Sequence, residues 1–267
     1  MKRPRAGHDA TGAQKKLAAR TNALPFQWGS RGASSAASGG DKVLHLLRHG
    51  TTEMNVHLAK ARPAYGEGGF VDPLLWDTRL TEAGAKGARA AARATARLSP
   101  PPELLVVSPL TRAIQTALLA FGERPPCPVL VEPLFRERLY LSSDVGRPPA
   151  ELATEFPHLE FDHLPDVWWH SDDEASGSDE GGSGTSSGGG GGGNSRNRNG
   201  SVEPLPYAEE PDDVFAERIE AARAWLEARP ERSIAVVTHW GVLHSLTGGT
   251  DFENCELRTT RLSRLAR

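Results

Sequence analysis

The sequence predicts a layered α/β fold, a mostly parallel central sheet with helices on both faces. Three observations carry this expectation. Four short apolar runs have the length and composition of buried strands. Between them lie stretches with helical periodicity and helix start and stop signals. The residues able to do chemistry cluster just after the apolar runs, where the strands of such a sheet end and ligands bind.

The elements are expected in this order. "VLHLL" at 43–47 is the first buried strand. "LTEAGAKGARAAARATARL" at 80–98 is an Ala- and Arg-rich helix with Thr81 as N-cap. "LLVV" at 104–107 is the second strand. "SPLTRAIQTALLAFG" at 108–122 is a helix with Ser108 at the N-cap, Pro109 at the first helical position and Gly122 as the stop. "VLV" at 129–131 is the third strand. "PDDVFAERIEAARAWLEARP" at 211–230 is a helix whose Phe215, Ile219, Ala222 and Leu226 form one stripe. "IAVV" at 234–237 is the fourth strand.

Two stretches do not fit this alternation. Residues 1–41 hold seven Lys or Arg and only Asp9 and Asp41 as acids, with few large apolar residues. That composition suits a disordered basic tail, and it also suits an organelle transit peptide. Residues 171–201 are Gly/Ser-rich, with six consecutive glycines from Gly188 to Gly193, and read as a flexible insert. One domain over 42–262, interrupted by that insert, is therefore expected, because neither flanking part alone completes a site.

The bulk numbers exclude several classes. The 267 residues carry a formal net charge of -3, which gives no reason to expect nucleic-acid or membrane binding. Cys127 and Cys255 are too few for a disulfide framework or a thiolate metal site. No apolar run approaches the roughly 18 residues of a membrane span. No apolar h-region follows the basic start, so a secretion signal is not expected. The cytoplasm is the expected compartment, or a plastid or mitochondrion if residues 1–41 address one.

The strand ends supply the candidate site. Arg48 and His49 follow the first strand, Arg112 lies in the first turn after the second, Glu137 follows the third and His239 the fourth. Two arginines and a cationic histidine make a pocket of about three positive charges, and guanidinium forks match phosphate oxygens. The start of the 108–122 helix would add backbone N–H groups. A second, neutral histidine can attack phosphorus, and a glutamate can protonate the leaving alkoxide. No metal and no cofactor is called for, since the positive side chains take up the charge. His45, inside the first strand, reads as a packed histidine, and "RER" around Glu137 has the look of a solvent-facing charge cluster.

"LLRHGTTEMN" (46–55), "SPLTRAIQTA" (108–117) and "VVTHWG" (236–241) together resemble the histidine phosphatase superfamily, in its phosphoglycerate mutase-like branch. "SSDVG" (142–146) and "LPDVWWH" (164–170) are similar to its plant and algal members. The resemblance implies a three-layer α/β/α sandwich. It implies that His49 is the phosphorylated nucleophile, that Arg48, Arg112, His239 and Asn55 hold the phosphate, and that Glu137 is the proton donor. Departures from the mutases favour water as acceptor: Met54 stands at their Trp position, and Glu137 is followed by "RLYLSSDVG". The expected activity is a metal-independent phosphomonoester hydrolase acting on a phosphorylated small molecule or a phosphoprotein. A mutase-type phosphotransferase and a non-catalytic interaction protein on the same fold are the alternatives.

Overall fold

A computed structural model describes residues 41–171 and 206–266. All but the last residue of the expected basic tail and all but the first residue of the expected insert lie outside the described residues. The described residues belong to one compact unit.

The described elements run β1 (Val43–Arg48), α1 (Glu53–Lys60), α2 (Glu82–Thr95), β2 (Leu104–Val107), α3 (Thr111–Phe121), β3 (Val129–Val131), α4 (Pro149–Glu155), α5 (Asp212–Ala228), β4 (Ser233–Thr238), α6 (Trp240–Leu246) and β5 (Leu257–Arg261). The sheet order is β3-β2-β4-β1-β5. β1, β2, β3 and β4 pair in parallel, and β5 closes one edge antiparallel to β1. β4, from beyond the insert, thus lies between β1 and β2.

The central strands β1, β2 and β4 are apolar on both sides because both faces are covered. Leu44, Leu46, Val106, Ile234 and Val236 pack under α5 and α6, where the predicted stripe Phe215, Ile219, Ala222 and Leu226 is buried. Leu47, Leu105, Val107, Ala235 and Val237 pack under α3, with Leu110, Ala113, Ile114 and Ala117. The result is three layers, helix on sheet on helix.

Local signals were mostly sound. Thr81 Oγ1 accepts the Gly84 N–H at 3.1 Å and starts α2. Gly122, at φ 88°, ends α3. His45 is fully buried, with Nδ1 2.9 Å from Thr259 Oγ1 and Nε2 2.9 Å from the Pro100 carbonyl. The start of α3 differs from expectation. The helix begins at Thr111, and Ser108 does not cap it. Asp77, from a distant loop, takes that role by accepting the Thr111 N–H at 2.8 Å. A long-range carboxylate satisfies the end, while Ser108 Oγ accepts the Leu110 N–H at 3.3 Å and keeps its own proton to donate.

Candidate active site

The register of two strands builds the centre of the site. Arg48 of β1 lies opposite Thr238 of β4, so the next residue on each strand, His49 and His239, leave the sheet side by side. Their ring centroids are 5.0 Å apart. The backbone around His49 is clamped. Its N–H donates to the Thr238 carbonyl at 2.9 Å, and its carbonyl accepts from Asn254 Nδ2 at 2.9 Å. Gly50 N–H donates to Thr116 Oγ1 at 2.9 Å. A Cβ on Gly50 would lie 2.8 Å from the Gly84 carbonyl, so only glycine lets β1 end this close to α2.

His49 Nδ1 lies 2.7 Å from the Gly50 carbonyl. A carbonyl can only accept, so Nδ1 carries the proton and Nε2 holds the lone pair. Burial, and then the Arg112 and Arg48 guanidiniums, hold the ring well below the usual histidine range, against the pull of the Gly50 carbonyl. His239 is likewise held low, by burial first and then by Arg112 and His49. Its Nε2 lies 2.7 Å from Ser108 Oγ, and its buried Nδ1 has no hydrogen-bond partner among the described residues.

The arginines differ in their commitments. Arg112 is buried at the start of α3; it donates to the Ser143 carbonyl at 2.5 Å and to Asp144 Oδ1 at 2.8 Å. Asp144 is buried as well, and burial raises its carboxyl to about 6 against the pull of Arg112. Arg48 donates through Nη1 to the Phe252 carbonyl at 2.6 Å, while its buried Nε has no partner among the described residues. The expected three positive charges are therefore not present. Burial leaves both histidines neutral, and Asp144 matches Arg112. Nor is the first N–H of α3 free for an anion, because Asp77 holds it.

Glu137 sits beside the start of α6. Its Oε1 accepts the Arg138 N–H at 2.9 Å and its Oε2 accepts the Gly241 N–H at 3.1 Å. A Cβ on Gly241 would lie 2.5 Å from Oε1, so the glycine after Trp240 makes room for the acid. Glu137 interacts electrostatically with both Arg48 and Asp144. Asn55 lies in α1 and closes a capping box, accepting the Thr52 N–H on Oδ1 at 3.0 Å. Its Nδ2 is the end left to donate elsewhere.

The structure thus joins His49, His239, Arg48, Arg112 and Glu137 through direct contacts or mutual charge; Asn55 starts the helix that follows the His49 turn. The sequence reading missed Asp144 and Ser108 as site residues. Asp144 lay within a quoted motif, but its partner is 32 residues away and no spacing rule links them. The arginines flanking Glu137 do not face solvent, since Arg136 and Arg138 are both buried.

The family model described as histidine phosphatase superfamily (branch 1) matches residues 44–184, just over half of the chain. No curated protein matches it. Similar solved structures include the alpha-ribazole phosphatase of Shigella flexneri, at 20% identity and TM-score 0.45, covering 81% of this chain and 89% of that one. Another is a mycobacterial glucosyl-3-phosphoglycerate phosphatase solved with VO3, at 22% identity and TM-score 0.43, covering 82% of this chain and 92% of that one. These likenesses are too distant to carry a substrate across.

Proposed function

We propose, from the premise that this chain belongs to the histidine phosphatase superfamily (branch 1), that it is a metal-independent phosphomonoester hydrolase working through a phosphohistidine. The observation that carries the reading is the fixed tautomer of His49. Its Nδ1 proton is spent on the Gly50 carbonyl, and burial keeps the ring neutral. The Nε2 lone pair is therefore held ready among Arg48, Arg112 and His239.

In the first step His49 Nε2 forms a bond to phosphorus as the ester P–O bond breaks. The Glu137 carboxyl gives its proton to the departing oxygen. In the second step water attacks phosphorus, the N–P bond breaks and Glu137 takes a proton from the water. Inorganic phosphate leaves and the site is restored. Arg48 Nε and His239 Nδ1 are buried donors without partners among the described residues, which suits them to phosphate oxygens. The Ser108 hydroxyl can donate to His239 Nε2 and so keep the other proton on Nδ1. Asn55 Nδ2 is the further donor of this reading.

Hydrolase is favoured over mutase by what the neighbouring arginines do. Arg136, Arg138 and Arg218 are buried and bonded to Glu210 and Asp212, so they do not offer themselves to a second anionic group. The substrate class is a phosphorylated small molecule, with a phosphoprotein as the broader option. The test is hydrolysis of p-nitrophenyl phosphate in EDTA by the wild type and His49→Ala. Turnover that falls by at least about 10³-fold in the variant supports the reading. Turnover that survives the substitution, or that requires added metal, contradicts it.

A further inference from the structure

The stretch that carries Glu137 is gripped from behind. Arg218, on α5, is buried, and all five of its N–H donors are used. Nη1 donates to the carbonyls of Leu134 and Arg136, each at 2.9 Å. Nη2 donates to the Glu137 carbonyl at 3.5 Å, the longest of the set. Nε and Nη2 also close a two-pronged pair with Glu210, at 2.8 and 2.7 Å.

Glu210 is the counter-charge. Its side chain is fully buried. Burial alone would raise its carboxyl, but Arg218 and then Arg136 hold it below the usual range. The bonds also run in the other direction. Arg136 Nη2 donates to Glu210 Oε1 at 3.2 Å, and Arg138 donates through Nε and Nη2 to the Glu210 carbonyl at 3.0 and 2.9 Å. The Glu210 N–H donates to the Leu139 carbonyl at 2.9 Å. Residues 134–139 are thus tied from both sides to residue 210 and α5. None of these bonds involves Arg48, His49 or Arg112.

We propose that Arg218, with Glu210 as its counter-ion, is a positioning residue for the proton donor. It locks the backbone around Glu137 so that the carboxyl meets the departing oxygen. The inference rests on the reading of Glu137 given above. Beyond the short turn at Pro133–Phe135, residues 136–141 form neither helix nor strand, so their placement depends on such long-range bonds. One planar fork holds the carbonyls of Leu134, Arg136 and Glu137 in a way that the three donors of a lysine cannot copy. A general acid displaced by about 1 Å loses about 10²-fold in rate, but only where the leaving oxygen needs a proton.

That dependence supplies the test. Full-length wild type, Arg218→Lys, Arg218→Met and Glu210→Gln are assayed on two esters of similar shape. p-Nitrophenyl phosphate has a leaving group that departs without a proton; p-nitrobenzyl phosphate does not. The expected result, read as the rate of the first step in single-turnover release of the leaving group so that the later base role of Glu137 does not enter, is a fall of about 100-fold on the benzyl ester and less than about threefold on the phenyl ester. Glu137→Gln should give the same split, and Arg218→Lys added to Glu137→Gln should lower the rate no further. Equal losses on both esters, no loss on either, or additive losses in the double variant would overturn the proposal. If Arg218→Met does not fold, the milder Glu210→Gln and Arg218→Lys still read the split. A wild type that cleaves neither ester would defeat the hydrolase reading, and the positioning role with it.

Discussion

Among single residues, the two histidines set the electrostatics. Both rings are buried beside arginines and stay neutral where a free imidazole would take a proton. The sign of the pH dependence follows. The unfolded chain protonates these rings near the ordinary pH of about 6.5, and the folded chain does not, so their contribution to stability is lost as pH falls below that value. Asp144 acts oppositely: with its carboxyl raised to about 6, the cost of burying its charge is relieved as pH falls. The ring nitrogens of His49 and His239, followed by NMR, should therefore still report neutral imidazole at pH 6. A midpoint at or above the ordinary value would refute the electrostatic description. Residue identities were the most legible part of the site, since each of His49, His239, Arg48 and Arg112 sits in a short motif. Asp144 and Arg218 were not legible, because their partners meet them only through the fold.

Elements were read well where apolar periodicity was strong and missed where it was weak. β1, β2 and β4 are buried runs, β3 is a half-buried apolar edge, and α2, α3 and α5 have long patterned faces. The missed helices α1, α4 and α6 have only seven or eight residues, too few for periodicity to emerge. The missed strand β5, "LRTTR", is a polar edge that pairs on one side, so it carries no apolar run. The start of α3 shows a different limit. Local rules chose Ser108, but Asp77 made the cap from 34 residues away and also pairs with Arg147 at 2.8 Å. Asp77→Ala should cost about 1–3 kcal/mol of stability by urea unfolding, because it leaves the buried Thr111 N–H without its acceptor and takes one of two carboxylates from Arg147, which keeps Glu155. A loss within about 0.3 kcal/mol would mean that Asp77 does not cap the helix.

For the whole molecule, the sheet explains why the site is assembled from distant sequence. β1 and β4 are neighbours although about 190 residues separate them, counted from the paired positions Val43 and Ser233. Their shared end carries both histidines, α3 brings Arg112, and the stretch after β3 brings Glu137. The layer order was legible from alternation alone; the position of β4 between β1 and β2 was not, because strand order is a long-range property. The central claim is that phosphorus passes through His49. Rapid quench of wild type with labelled p-nitrophenyl phosphate, followed by peptide mapping, tests it most directly. A phosphoryl group on His49 that survives base and is lost in acid, forming as fast as turnover and absent in His49→Asn, is the predicted result. Turnover without that adduct, or with label on another residue, would contradict it.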